Sequence, residues 1–168
     1  MAGSTALIEF EPFVTENLEN HPVESADEVI EEYKDRPKII NDSIESAFYV
    51  RSTDEIHIPK ITGFKSSESY YGALFHELAH STGHSSRLNR KLGNSFGSDP
   101  YAKEELIAET TSTMICASIG LTSELSNSAS YLKSWLRDTK EKRKAITLYS
   151  AFAQAEKAKN YILSGKRE

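Results

Sequence analysis

Hydrophobic residues recur along this chain with two periods, and the longest regular stretch lies near its centre. Tyr71, Leu74, Phe75, Leu78, Ala79 and Thr82 follow the i, i+3, i+4, i+7, i+8, i+11 spacing of a helix with one buried face. Ser66 or Ser67 is placed to cap its start, Glu68 falls in the first turn, and Gly83 stands where a C′ residue would end it. Upstream, Ala26, Val29, Ile30 and Tyr33 share one face of a shorter helix. Ser25-Ala26-Asp27-Glu28 reads as its capping box, and Pro37 bounds it. Period-two patterning then predicts three short strands: Lys38–Ile40, Ala47–Arg51 and Glu55–Pro59. The last two flank Ser52-Thr53-Asp54, which reads as a hairpin turn. In the third strand Ile56 and Ile58 point one way, Glu55 and His57 the other, so His57 is expected on a sheet surface.

Downstream, helical spacing resumes after a polar loop from Ser85 to Asp99. Asp99 and Pro100 read as N-cap and N1 of a helix that Gly120 ends. Asn127 is placed to cap a third helix carrying Tyr131, Leu132, Trp135 and Leu136. Asp138-x-x-Glu141 opens a last one, with Ala145, Leu148, Tyr149, Phe152 and Ala155 inward and an end near Gly165. Residues 1–24 read as an extended arm, with Met1–Ser4 as a tag remnant, and residues 25–168 as one domain. The fold class is α+β: a small antiparallel sheet packed on a mainly helical body.

Composition narrows the functions open to such a fold. The 168 residues suit a single core. Lys and Arg number 20 against 25 Asp and Glu, a net charge of −5, so direct nucleic-acid binding by this chain is not expected. No apolar run is long enough to span a membrane, and the first residues lack the basic and apolar regions of a signal peptide. Cys116 is the only cysteine, so no intrachain disulfide forms; it reads as a small core residue. These features together suggest a cytoplasmic setting.

The chemistry concentrates in the central helix, where His76, Glu77 and His80 form H-E-x-x-H. One helical turn separates the two histidines, so both rings lean over one face and can converge on a single Zn2+. Glu77, off that stripe, can reach a water at the metal as a general base. A catalytic zinc takes three protein ligands and leaves one position open. His84, in H-E-x-x-H-x-x-G-H, follows Gly83 directly, whereas the metzincin histidine lies three residues beyond its glycine; the chain has little room to swing back. Glu105 and Glu109 are a better source. They share a helix face with Ser112, and a pair of buried like charges is costly unless a cation offsets it. Glu105 is favoured as third ligand and Glu109 as acceptor for the free N–H of a ligating imidazole, although the two can be exchanged. Glu104 then faces away to solvent. An acidic first turn satisfied by the helix dipole is the alternative for the whole cluster.

Several blocks in order, SYYGALFHELAHSTGHSSRLNR, FGSDPYAKEELIAE and YLKSWL, together with the preceding AFYVRSTDEIHIP, resemble the zincin-like metallopeptidase domain of ArdC-type antirestriction proteins. The resemblance covers roughly residues 25–163. It implies a zincin-like fold, one metal ion held by His76, His80 and a glutamate of EELIAE, Glu77 as catalytic glutamate, and a bacterial, mobile-element context. It does not extend to that family's single-stranded-DNA-binding domain, so DNA binding is not carried over. The expected activity is zinc-dependent hydrolysis of a protein or peptide, of the H-E-x-x-H plus Glu type. The rival is a metal-stabilised binding module that acts by contact.

Overall fold

In the computed structural model, residues 20–43, 45–90, 99–121, 133 and 141–164 are described, with backbone alone at 99–100 and 141–147. The elements are α1 (Glu24–Glu32), β1 (Lys38–Ile40), β2 (Phe48–Val50), β3 (Glu55–His57), a 3-10 turn (Ile61–Gly63), α2 (Ser67–Ser81), α3 (Asp99–Ser118) and α4 (Glu141–Ser164). The expected N-terminal arm up to residue 19, the helix capped by Asn127 and the Asp138 capping box lie outside the described residues. No described helix is long and apolar enough to cross a membrane.

The sheet is mixed, not wholly antiparallel. Its order is β1-β3-β2. β2 and β3 form the expected antiparallel pair, with Tyr49 opposite Ile56, but β1 runs parallel to β3, with Ile39 opposite Ile56. The chain leaves β1, passes to the far edge as β2, and turns back so that β3 fills the middle. β3 suits that place because Ile56 and the following Ile58 are fully buried, whereas Lys38 and Phe48 on the edge strands are exposed. Period-two alternation identifies a strand but not its partner's direction. His57 lies on the outer face as expected, stacked on Phe48 at 5.1 Å with Nδ1 2.8 Å from Asp42 Oδ1.

α2 is the hub of the packing. All six residues of its apolar stripe are buried, and it packs against β2, α3 and α4. Leu74, Phe75 and Leu78 each contribute about 1.5–3 kcal/mol by leaving water. The main core joins them to Ala26, Val29 and Tyr33 of α1, Ile56 of β3, Ile115 of α3 and Ile162 of α4. Ser66 caps α2, accepting from the Ser69 amide at 3.1 Å. Gly83 does not adopt a left-handed cap. Instead the helix unwinds through tight turns, Gly83 N–H to His80 O and His84 N–H to Ser81 O, both 2.9 Å. Gly120, at φ 83, does close α3 with the paired bonds of a Schellman motif: Leu121 N–H to Cys116 O at 2.8 Å and Gly120 N–H to Ala117 O at 3.3 Å.

Two local expectations fail for tertiary reasons. The Ser25 capping box does not form. Val23 is the N-cap, and Tyr71 of α2 holds the start of α1, donating to Asp27 Oδ1 at 2.7 Å and accepting from Val23 N–H at 3.1 Å. On α4, Tyr149 is 80% and Phe152 39% exposed, although both were expected inward. The buried stripe is Ala151, Ala155, Ala158, Tyr161 and Ile162. Small residues there let α3 approach closely enough for Thr111 Oγ1 to reach the Ala155 carbonyl at 3.3 Å. A large ring at that contact would push the helices apart.

Candidate metal centre

The site lies between α2 and α3. His76 and His80 project from successive turns of α2, with ring centroids 4.8 Å apart and Nε2 atoms 3.1 Å apart. α3 crosses over them and presents Glu105. Its Oε2 is 3.6 Å from His76 Nε2 and its Oε1 3.3 Å from His80 Nε2. Ligand atoms of the three residues all lie within 4.8 Å of one another. Ser112, on the same face of α3, fixes the crossing by donating to the Gly72 carbonyl at 2.8 Å, one turn before His76. Glu109 Oε2 lies 3.3 Å from His76 Nδ1, the ring nitrogen turned away from Glu105.

Glu104 departs from the expectation that it faces solvent. Its side chain is only 12% exposed, and Oε1 lies 3.4 Å from His80 Nδ1. Each imidazole therefore has its own carboxylate behind it, Glu109 for His76 and Glu104 for His80, while Glu105 faces both Nε2 atoms. Burial of Glu104 is made tolerable by Arg90, whose Nε and Nη2 donate to the two carboxylate oxygens at 3.0 and 2.7 Å. The sequence offered no signal for Arg90, because it lies in an aperiodic loop. For Glu104, the signal was the bare fact that His80 would need a partner of its own.

The electrostatics are those of a site with surplus carboxylate. Burial disfavours the charged imidazoles, but Glu105 and Glu109 beside His76, and Glu104 and Glu105 beside His80, outweigh it and hold both rings above the ordinary histidine value. Burial likewise works against ionised Glu105, and the two histidines hold it well below the usual carboxylate range. Glu77 is 6% exposed and adds a further negative charge felt by His76, His80 and Tyr101. Burial, with Glu105 next to the hydroxyl, pushes Tyr101 up to about 12, so its phenol is a proton donor at neutral pH. Four acids thus surround two imidazoles, with Arg90 committed to one of them. Such a set fits a divalent cation, which would offset the remaining charge.

His84 is not part of this cluster. Its Nδ1 contacts Ser86, 2.8 Å from Oγ and 3.2 Å from N, because the turns that end α2 carry it past the site. Tyr149 points to solvent.

Similar proteins carry the same domain inside longer chains. Two DNA primases TraC of Escherichia coli are each 42% identical over 118 residues, which is 70% of this chain but 11% and 8% of theirs. A Sinorhizobium fredii protein, y4eC, is 38% identical over 64% of this chain and 36% of its own. The antirestriction protein ArdC of plasmid R388, in its Mn(II)-bound structure, superposes with a TM-score of 0.67 at 34% identity, covering 88% of this chain and 54% of ArdC. Its metal-free structure superposes at 0.65. The chain therefore spans a small part of the primases and about half of ArdC. The family model described as zincin-like metallopeptidase matches residues 24–153, from the first residue of α1 into α4, and the chain belongs to that family.

Proposed function

We propose that this chain is a metal-dependent peptidase domain in which His76, His80 and Glu105 hold one divalent cation and Glu77 is the general base. The observation that carries the reading is the convergence of two imidazoles from α2 and a carboxylate from α3 within 4.8 Å, with the buried Glu77 next to His76 in the chain. The ion we assign is Zn2+; a His2Glu donor set also accepts Mn2+, the ion in the similar ArdC structure. A bound cation supplies Lewis acidity, which polarises a peptide carbonyl and makes water nucleophilic near neutral pH. Glu77 takes the proton of the attacking water and returns it to the leaving amine. Tyr101, a donor beside Glu105 and Glu77, stabilises the oxyanion. β2, an outer strand of the sheet packed on α2, offers an edge to which an extended peptide pairs. The substrate class is protein or peptide, and the net charge of −5 goes against nucleic acid as a direct ligand. We place the domain in the bacterial cytoplasm, consistent with bacterial and plasmid-borne relatives.

The test is cleavage of a peptide library by the metal-loaded protein and by Glu77→Gln. The substitution is expected to lower the rate by about 10²–10⁴-fold with metal content unchanged. Equal cleavage by both, with metal retained, removes Glu77 from the mechanism. A second reading, contact-mediated antirestriction without hydrolysis, is favoured by the described role of ArdC. Protection from restriction that survives Glu77→Gln in cells would favour it.

A further inference from the structure

The Arg90 side chain is 8% exposed and makes four polar contacts with three residues. Two go to Glu104 on α3, as described. The others go to the end of α2: Nη1 donates to Thr82 Oγ1 at 2.6 Å, and Nη2 to the Ala79 carbonyl at 2.8 Å. The guanidinium therefore joins the last turn of the helix that carries both histidines to the residue next to Glu105. It also occupies the negative end of the α2 dipole, where a cation is favoured. Through Glu104 its influence reaches His80 Nδ1, at 3.4 Å.

We propose that Arg90 and Glu104 are a positioning pair for the metal centre. The inference rests on the reading of His76, His80 and Glu105 as metal ligands. For His80 to offer a lone pair at Nε2, its proton must be on Nδ1, and Glu104 is the acceptor that selects this tautomer and fixes the ring. A carboxylate so close to a cation site is itself a competing ligand. Arg90 prevents that by holding both oxygens of Glu104, so that the group stays behind His80. The fork of the guanidinium is essential: lysine's three N–H donors leave from one nitrogen and cannot meet both Glu104 oxygens, Thr82 Oγ1 and the Ala79 carbonyl at once. The pair thus does for His80 what Glu109 does for His76, and it sets the spacing between α2 and α3 on which Glu105 depends.

The experiment is metal titration of chelator-stripped protein, with Co2+ as a visible-absorption probe and Zn2+ by calorimetry, on wild type, Arg90→Met, Glu104→Gln and the double variant. Circular dichroism of the stripped proteins reports folding. Each single variant is expected to weaken binding by about 10–100-fold, with the double variant no weaker than the worse single one, because the two residues act as a unit. Zn2+-loaded, 15N-histidine-labelled Glu104→Gln is expected to show an altered Nδ1 signal for His80 and an unaltered one for His76. If Arg90→Met does not fold, Glu104→Gln carries the test, since its amide keeps the volume but offers one acceptor oxygen and an NH2 donor where two carboxylate oxygens serve Arg90 and His80. Unchanged affinity in Glu104→Gln, or additive losses in the double variant, overturns the positioning role while leaving the metal site standing. Failure of wild type to bind either ion, with His76→Ala no different, overturns the metal reading itself.

Discussion

Both terminal nitrogens of Arg87 meet the carboxylate of Asp54, Nη1 to Oδ1 at 2.8 Å and Nη2 to Oδ2 at 2.6 Å. The same guanidinium donates to the carbonyls of Asp35 at 2.8 Å and Ser81 at 3.0 Å, and Tyr49 donates to Asp54 Oδ1 at 2.7 Å. One side chain, 2% exposed, thereby joins the β2–β3 turn, the segment after α1 and the end of α2. Asp54 is held at φ 55, a left-handed conformation that aspartate tolerates. We expect Arg87→Ala to cost about 3 kcal/mol, because it removes the guanidinium's bonds to the Asp35 carbonyl, the Ser81 carbonyl and both oxygens of Asp54, leaving the Ser81 carbonyl with His84 N–H and the Asp54 carboxylate with Tyr49. Urea denaturation measures it. Burial raises the Asp54 carboxyl, but hydrogen bonds from Arg87 and Tyr49 together with the Arg87 charge more than reverse this, leaving it below its ordinary value. The pair's stabilisation is therefore fully present above the unfolded value of about 3.9 and is lost as pH falls through the lower folded one. Arg87→Ala should lose less stability than wild type over that acid range.

Without a cation, the carboxylates raise His76 to about 10 and His80 to about 9 against burial. Both folded values exceed the unfolded one of about 6.5, so the ion pairs stabilise fully below that pH and are lost as pH rises through about 9 to 10. A cation needs both rings neutral, so its binding releases protons near neutrality. We expect the apparent Kd for Zn2+ to fall as pH rises from neutrality towards 9, and calorimetry in buffers of different ionisation enthalpy to register the released protons. A pH-independent Kd across that range would contradict it.

Tyr101→Phe removes one hydroxyl beside Glu105 and Glu77. If that hydroxyl donates to the oxyanion, kcat falls by about 10²-fold while KM and metal affinity hold. A loss of metal affinity with kcat intact would instead make Tyr101 a support for Glu105.

Where α3 and α4 meet, the Ala155 carbonyl lies 3.3 Å from Thr111 Oγ1. We expect Ala155→Leu to destabilise by about 1–3 kcal/mol through overpacking, and Phe152→Ala, 39% exposed, to cost less than Ala155→Leu. Thermal melting of the two variants compares them.

The helix that carries His76 and His80 was legible from its residues. The Tyr71–Thr82 stripe, the Ser66 cap and the one-turn spacing of His76 and His80 are local properties, and packing did not disturb them. The face shared by Glu105 and Glu109 was legible as well, since a costly pair of acids on one side of a helix implies something opposite. The orientation of Glu104 was not. Being next to Glu105 it was assigned outward, but His80 lies a turn along α2 from His76, so the partner it meets is displaced on α3 too.

The residues along the chain were enough to place α1 to α4, the three short strands and a His-His-Glu donor set fit for a metal, because periodicity and residue identity are local properties. Three features came from the three-dimensional packing alone: β1 runs parallel to β3, Ala151, Ala155 and Ala158 rather than Tyr149 and Phe152 face α3 and the core from α4, and Arg90 reaches back to Glu104. Each of these depends on how closely two distant segments approach. That distance is set by the packing of the whole core, and no local pattern contains it.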